Sequence, residues 1–191
     1  MLIKQSYLIW LFAGLTLLVF TACDDDDGGD PGPGEEEVIT QVTLTLAPNG
    51  GGTAVVMNFL DADGDGPVAP IVTVSGPLAA NTTYTGAIVF LNTLESPAED
   101  ITEEVADEDD EHQVFYEVSG ANLSFTYNDQ DDDGNPLGLD VTAMSGDASM
   151  GTLKVTLRHE PVKDAAGVSD GDITNAGGET DVEVTFDVTV Q

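Results

Sequence analysis

Apolar side chains recur at every second position along most of the chain beyond residue 37, and this period constrains the fold more than any other feature. The final segment shows it most clearly, with inward candidates Val182, Val184, Phe186, Val188 and Val190. A period of two places such a set on one face of a β-strand. Turn-forming residues interrupt the pattern at intervals of roughly 8 to 12 residues. The sequence therefore predicts an all-β fold, a single antiparallel β-sandwich (immunoglobulin-like or similar) over residues 37–191.

The same pattern marks the individual strand candidates, each bounded by Gly, Asn, Asp or Pro. They span residues 42–46, 55–59, 71–75, 82–91, 114–118, 123–127, 139–144, 152–159 and 182–190. The glycine-rich segment 49–52 favours a hairpin between the first two strands. Segment 82–91 carries apolar residues on both faces near its end, so we expect it in the middle of a sheet.

One segment has helical features. Ser96, Pro97 and Glu99 have the form of a capping box, and Ile101 and Val105 follow at helical spacing. The acidic run that begins at residue 107 would crowd negative charge at the unfavourable end of a helix dipole. The sequence therefore favours a strand or turn here, ending in a solvated loop.

The few basic residues beyond the N-terminus are close together in the sequence. Lys154 and Arg158 share the polar face of segment 152–159, and Lys163 follows shortly after. One interpretation is a small anion site that includes His159. The favoured interpretation pairs this strand with the final one, placing cations opposite carboxylates, where each pair contributes a few tenths to about 1 kcal/mol.

Residues 1–22 differ from the rest in composition. Lys4 is their only charge, and an unbroken apolar stretch follows up to Phe20. At about 1.5 Å per helical residue the stretch falls short of a hydrocarbon core of about 30 Å, so a spanning helix is the weaker interpretation. The small residues Thr21 and Ala22 before Cys23 resemble the lipobox of bacterial lipoproteins. This resemblance implies that residues 1–22 are a cleaved signal peptide and that Cys23 carries a covalent lipid.

Cys23 is the only cysteine of the chain, so it has no disulfide partner within it. The alternative is a free thiol beside an ordinary cleavage site. A diacylglyceryl group with an additional acyl chain, at about 0.8 kcal/mol per buried CH₂, would hold the chain at a membrane far more firmly than one acyl chain.

Residues 23–36 combine acidic runs with glycine and proline, a composition typical of an extended, flexible tether. The run Asp24, Asp25, Asp26 and Asp27 directly follows the cysteine. It resembles the surface-export signal of lipoproteins from Bacteroidota-type bacteria. This resemblance implies an outer-membrane lipoprotein exposed at the cell surface; the alternative is an anchor that faces the periplasm.

The C-terminal region carries a further resemblance. Residues 157–161 (LRHEP) and 171–186 (GDITNAGGETDVEVTF) are similar to those of small lipoproteins of Bacteroidota-type bacteria. Some of those relatives have a name that refers to the type 1 periplasmic binding fold. That fold requires alternating helices and strands, and the strand-rich pattern of this chain disputes the name.

The net charge of the chain limits the classes of partner that it can bind. The chain has 36 acidic residues against 4 basic ones and a formal net charge of −32. Such a charge disfavours nucleic acid and anionic lipid as partners and favours cations. The expected partners are the membrane, through the lipid anchor, and an envelope protein or glycan, with no nucleic acid.

Two loops place carboxylates at alternate positions before a glycine, a pattern that can aim several oxygens at one Ca²⁺. Their candidate ligands are Asp61, Asp63 and Asp65 in the first loop, and Asp129, Asp131, Asp133 and Asp140 in the second. The second resembles an EF-hand calcium loop over a dozen residues, but it has Asp in place of the last Glu, and its flanks are predicted strands. The alternative is that these aspartates only form turns.

No catalytic residue is predicted. The only histidines, His112 and His159, lie at strand ends beside acids, where we expect surface side chains. The sequence contains no nucleophile elbow, phosphate loop or HExxH motif. We therefore expect a non-catalytic binding or envelope module, with calcium as a candidate stabilising ion. The alternatives are a glycan- or small-ligand-binding component of an outer-membrane uptake system and, with least support, a hydrolytic enzyme.

Overall fold

A computed structural model describes residues 37–64 and 66–191 of the chain. The predictions for the signal peptide, for lipidation of Cys23, for the export run 24–27 and for the tether 23–36 lie outside the described residues. So does Asp65 of the first candidate calcium loop.

The described part of the chain is built from antiparallel strands with one short α-helix. Its elements are β1 (Gln41–Pro48), β2 (Val55–Leu60), β3 (Ile71–Val74), β4 (Thr83–Asn92), β5 (Glu99–Asp100), α1 (Ile101–Asp107), β6 (His112–Ser119), β7 (Leu123–Tyr127), β8 (Asp140–Ser145), β9 (Ser149–His159) and β10 (Glu179–Val190). The helices in this part are too short or too polar to cross a bilayer.

The strands form two sheets. The larger has the order β3-β2-β1-β4-β8-β7, with β5 added to β4, and the smaller has the order β10-β9-β6. This confirms the predicted all-β, sandwich-like fold. The hairpin across residues 49–52 joins β1 to β2, and β4 lies between β1 and β8, as the sequence predicted.

The core lies between the two sheets because alternate side chains of each strand turn inward. On β1, Val42, Leu44 and Leu46 are fully buried. One cluster of buried side chains joins both sheets; its largest members include Tyr84, Phe90, Phe186, Met57, Leu153 and Leu157. The period of two in the sequence is therefore the alternation between this core and the outer faces.

The expectation for residues 101–107 is wrong, since this segment forms α1. Asp100, and not Ser96, caps it by accepting a hydrogen bond from the Thr102 backbone N–H, and Ile101 and Val105 are buried. Burying two such side chains contributes about 1.5–3 kcal/mol each, whereas an unfavourable charge at a helix end costs only about 0.3–1 kcal/mol. The gain from burying Ile101 and Val105 therefore exceeds the cost of the acidic run at the end of the helix, and the segment is helical.

Residues 160–178, which contain two short 3₁₀ turns, Val168–Asp170 and Ile173–Asn175, pack on part of the outer face of the small sheet. Phe115 of β6 packs there against Val168 and Ala176. The Gln113 side-chain amide donates to the Val168 carbonyl at 2.9 Å. Strand β6 is thus buried on both faces at its beginning, where His112 lies.

The predicted pairing of segment 152–159 with the final strand is confirmed. The Lys154 ammonium lies 2.8 Å from a Glu117 carboxylate oxygen and 3.2 Å from one of Glu183. The Arg158 guanidinium instead donates to the Thr180 hydroxyl at 2.6 Å. The outer face of the small sheet therefore carries one ion-pair network centred on Lys154.

Candidate functional site

Four ionisable side chains from four separate parts of the chain meet at one end of the small sheet. Glu37 precedes β1, His112 begins β6, His159 ends β9 and Asp181 lies near the start of β10. We call these residues the histidine–carboxylate cluster. His112 and His159 are directly opposite each other in the β6–β9 pairing, and their rings stack with centroids 4.8 Å apart.

A β-bulge brings Asp181 into the cluster. The β9–β10 register shifts between Thr180 and Val182, so the extra residue of β10 is Asp181. Regular alternation from the buried Val182 would direct Asp181 to the outer face. A bulge re-aims a side chain, and here the Asp181 side chain is fully buried beside the two imidazoles.

The donor atoms of the cluster face one another at short range. His112 Nε2 lies 2.7 Å from Glu37 Oε1 and 4.0 Å from Asp181 Oδ2. His159 Nδ1 lies 3.8 Å from Glu37 Oε2 and 3.9 Å from Asp181 Oδ1. One such atom from each residue can be chosen so that all four lie within 4.8 Å of one another.

The helix missed by the sequence prediction orients His112. The His112 Nδ1 atom lies 3.1 Å from the carbonyl oxygen of Glu108, the C-cap residue of α1. A carbonyl oxygen can only accept, so this contact assigns a proton to Nδ1. It leaves Nε2 as the ring nitrogen that faces the carboxylates.

The pKa values of Glu37 and His112 shift in opposite directions. Burial alone would lower the pKa of His112, but the hydrogen bond and charge of Glu37, with the Glu108 carbonyl, outweigh it and raise that pKa. Burial alone would raise the pKa of Glu37, and the His112 hydrogen bond and charge outweigh it, so that pKa is lowered. Both shifts favour an imidazolium–carboxylate pair.

Two buried atoms of the cluster have no hydrogen-bond partner among the described residues. They are Glu37 Oε2 and His159 Nε2. A Glu111 carboxylate oxygen lies 3.7 Å from His159 Nε2, too far for a hydrogen bond. Buried polar atoms usually bond to protein, to water or to an ion, so these two atoms leave room for a further ligand.

A cavity of about 330 Å³ borders the cluster. Glu37 and Asp181 form part of its wall, and Asp61 and Leu94 lie on the same cavity. The cavity therefore adjoins two of the four residues of the cluster.

The expectation of surface histidines is wrong. His112 is fully buried and His159 is 5% exposed. One sequence pattern could have located His159, because it continues the inward series Leu153, Val155 and Leu157. No comparable pattern marks Asp181, because the bulge turns its side chain from the outer face to the inner face. Glu37 lies before the first strand, so no alternation applies to it.

The candidate calcium residues of the second loop make turn-forming contacts. The Asp129 carboxylate accepts the backbone N–H groups of Gly138, Leu139 and Asp140 at 2.7–2.9 Å. The Asp140 carboxylate accepts from the Asn128 side chain, and Asp133 is exposed. These contacts hold the loop closed, and calcium binding stays a prediction.

Asp131 of the same loop forms a buried ion pair. Its Oδ2 lies 3.0 Å from Lys163 Nζ, and both side chains are at most 5% exposed. Its Oδ1 accepts the backbone N–H groups of Asp133 and Asn135. Burial alone would raise the pKa of Asp131, but Lys163 and Asn135 outweigh it and lower that pKa. Lys163 also donates to the Asp109 carbonyl, so the pair joins three loops.

The first candidate calcium loop lies beside the cavity. Asp61 Oδ1 accepts the Asp63 backbone N–H at 3.4 Å, and Asp63 Oδ2 accepts that of Val68 at 3.1 Å. Through Asp61 this loop shares the cavity wall with Glu37 and Asp181. The structure thus places one of the predicted ligands near the histidine–carboxylate cluster.

Two imidazoles and two carboxylates can act as proton donors and acceptors or surround a metal ion. A second group in the described part of the chain, Glu111, His159 and Glu160, shares one imidazole with the cluster. Searches of protein-family models, of curated proteins and of solved structures find no match to this chain.

Proposed function

We propose that this chain is a lipid-anchored, surface-displayed module of the outer membrane that binds a cationic ligand or partner without catalysing a reaction. The proposal is supported by two cavities of the folded domain that each have more than one acidic residue on their walls. These residues are Glu37, Asp61 and Asp181 in the first cavity, and Asp129 and Asp170 in the second.

Charge and concavity act together in such cavities. Walls of low dielectric focus the field of carboxylates of one sign and raise the local concentration of cations. The formal net charge of −32 extends the same field over the whole chain. Metal ions and basic segments of envelope proteins are therefore the ligand classes that fit, and calcium is one such ion.

The anchor is supported by Cys23 and the residues around it in the sequence. Glu37, which follows the predicted tether, is held in the folded domain by its hydrogen bond to buried His112. A Cys23→Ser substitution should move the protein from the membrane fraction to the soluble fraction. If the variant stays in the membrane like the parent, the anchor proposal is wrong.

Surface display has a separate test. Protease added to intact cells should degrade the parent, because the domain lies outside the outer membrane. Replacing Asp24, Asp25, Asp26 and Asp27 by alanine removes the run that resembles an export signal. The variant should then resist protease in intact cells and become sensitive after lysis. If it stays sensitive in intact cells, the acidic run is not the export signal.

Binding of a cationic partner is tested by ionic strength. Capture of outer-membrane proteins by the detergent-solubilised full chain should weaken as salt shortens the Debye length from about 10 Å at 0.1 M to about 3 Å at 1 M. Captured proteins should carry basic surfaces. Capture that is indifferent to salt would contradict a charge-driven partner.

A second candidate, a glycan- or small-ligand-binding component of an uptake system, is favoured by the cavity beside β7. This cavity has a volume of about 400 Å³, and Phe125 and Tyr127 lie on its wall with Asp129. Aromatic rings next to polar groups suit sugars. A glycan array with the parent and a Phe125→Ala variant tests it: signals lost in the variant support this candidate, and an array without signals removes it.

A further inference from the structure

We propose that the histidine–carboxylate cluster is a binding site for one divalent first-row transition-metal ion of the Zn²⁺ class, with His112 Nε2, His159 Nδ1, Glu37 and Asp181 as ligands. The inference rests on the proposed function only for the positive charge of the ligand. A chain without a lipid anchor would still bind zinc, and a chain that binds no zinc would still have the acidic cavity beside Asp129 and Asp170 for a cationic partner.

The spacing of the donor atoms suits such an ion. Zinc binds imidazole nitrogen and carboxylate oxygen at about 2.0–2.2 Å, which separates tetrahedral ligand atoms by about 3.3–3.6 Å. Three contacts in the cluster measure 3.8, 3.9 and 4.0 Å. The fourth, between Glu37 Oε1 and His112 Nε2, is a hydrogen bond of 2.7 Å. These four contacts differ from that separation by less than about 1 Å. One donor atom from each of the four residues lies within 4.8 Å of the others, and the hydrogen-bond proton leaves to solvent as the ion takes its place.

The surroundings of the histidines match those of metal ligands. A ligating histidine usually donates its other ring N–H to a carbonyl or carboxylate, which fixes the tautomer. His112 has this arrangement, because Nδ1 contacts the Glu108 carbonyl at 3.1 Å. At His159 the second ring nitrogen lies 3.7 Å from a Glu111 carboxylate oxygen, too far for a hydrogen bond. His112 thus has the outer partner of a metal ligand, and His159 has a carboxylate nearby.

An independent observation points to a ligand at the same place. Glu37 Oε2 is buried and has no hydrogen bond among the described residues, and the Glu37 side chain is only 3% exposed. This atom lies 3.8 Å from His159 Nδ1, on the inner side of the cluster. A cation bound between them would satisfy a carboxylate oxygen that otherwise lacks a partner.

The donor types select the class of metal. Ca²⁺ and Mg²⁺ prefer oxygen ligands only, whereas imidazole suits Zn²⁺, Cu²⁺, Fe²⁺ and Ni²⁺. Two stacked imidazoles supply half of the present set. The cluster should therefore prefer a transition-metal ion over calcium, and the cavity of about 330 Å³ beside Glu37 and Asp181 gives the ion a path of entry.

The test uses the full chain in a non-ionic detergent, stripped of metal and titrated with Zn²⁺ in millimolar Mg²⁺, which competes for nonspecific acidic sites. The parent should bind one Zn²⁺ per chain. Asp181→Asn should weaken binding at least about tenfold. Asp187→Asn is the matched control, because it removes the same charge from the same strand outside the cluster and should bind like the parent.

A spectroscopic measurement keeps the test independent of whether a buried variant folds. Co²⁺ bound to the parent should give visible absorption bands of a site with nitrogen ligands of low symmetry, and Zn²⁺ should remove them. His159→Gln, checked for a parent-like circular dichroism spectrum without metal, should lose the bands. Absence of micromolar Zn²⁺ binding by the parent, or equal loss in Asp181→Asn and Asp187→Asn, would overturn the proposal.

Discussion

The Asp129 loop and the histidine–carboxylate cluster are both acidic and both contain a buried pair of opposite charges, yet they differ in how their carboxylates are used. In the loop, Asp129 and Asp131 accept backbone N–H groups from residues close in sequence, and Lys163 completes the set. In the cluster, distant segments direct carboxylates and imidazoles toward one another, and two of the buried atoms have no hydrogen bond.

The difference shows what spacing in a sequence can indicate. Aspartates at alternate positions lie close enough to bond to their own turn, which satisfies their oxygens locally. Side chains that converge from separate strands have fewer backbone N–H groups within reach, because those groups are already paired in the sheet. An external ligand is therefore more readily accommodated at the cluster than at the loop.

The largest expected effect follows from breaking the ion pair of the loop. Lys163→Ala leaves the buried Asp131 carboxylate without its cation, which typically costs about 3–5 kcal/mol of unfolding free energy. Urea unfolding of the full chain in detergent measures it. Lys154→Ala, at a partly exposed pair, is the control and should cost about 1 kcal/mol or less. Similar losses in both variants would contradict the difference in burial.

Asp129 should have the next largest effect. Asp129→Asn removes the negative charge that accepts three backbone N–H groups, and hydrogen bonds to charged groups contribute about 1.5–3 kcal/mol each, part of which the amide oxygen retains. We expect a loss of roughly 1–3 kcal/mol in urea unfolding. Asp133→Asn, at an exposed side chain, should stay within about 0.5 kcal/mol of the parent; a larger loss there would contradict the contacts of the loop.

The pH dependence of the Asp131 pair has a definite sign. The folded-state pKa of Asp131 lies below its ordinary value of 3.8, so the pair stabilises the fold fully above about pH 3.8, and the contribution is lost as pH falls through the lower folded pKa. The difference in unfolding free energy between the parent and Asp131→Asn should therefore be constant near neutral pH. It should shrink only as the pH falls toward and below about 3.8. A difference that already declines between pH 6 and pH 5 would contradict this assignment.

Calcium should have the smallest effect. If the loop holds calcium as its sequence predicts, binding to the folded state adds RT ln(1 + [Ca²⁺]/Kd), about 1.4 kcal/mol at ten times Kd. The melting temperature at millimolar Ca²⁺ should then be higher than at the same concentration of Mg²⁺. Asp131→Asn combined with Asp133→Asn should abolish this difference. Equal stabilisation by both ions would leave these aspartates as turn residues.

The strands and their core could be predicted from the sequence because the period of two depends only on neighbouring residues. Val42, Leu44 and Leu46 illustrate this, since burial follows their spacing without exception. Helix α1 was missed because the tertiary burial of Ile101 and Val105 outweighs a local charge argument. Local patterns therefore sufficed where each strand alternates regularly, and failed where packing from elsewhere decides.

The cluster was beyond sequence reasoning for a related reason. Asp181 faces inward only because of a bulge, and Glu37 belongs to no strand. The Lys163–Asp131 pair joins residues 32 positions apart across two loops, whose approach no periodicity indicates. The alternation of side chains pointed to two buried histidines, because His159 has the same parity as Leu157 and Val155, and His112 the same parity as Val114.

Anomalous diffraction at the zinc edge, from crystals of the protein grown with Zn²⁺, tests most directly whether the convergent imidazoles and carboxylates, and not the self-bonded loop, form the zinc site. We expect a peak within about 2.0–2.2 Å of His112 Nε2 and His159 Nδ1, with Glu37 and Asp181 completing the coordination. A peak only at the Asp129 loop, or no peak between the two imidazoles, would contradict it.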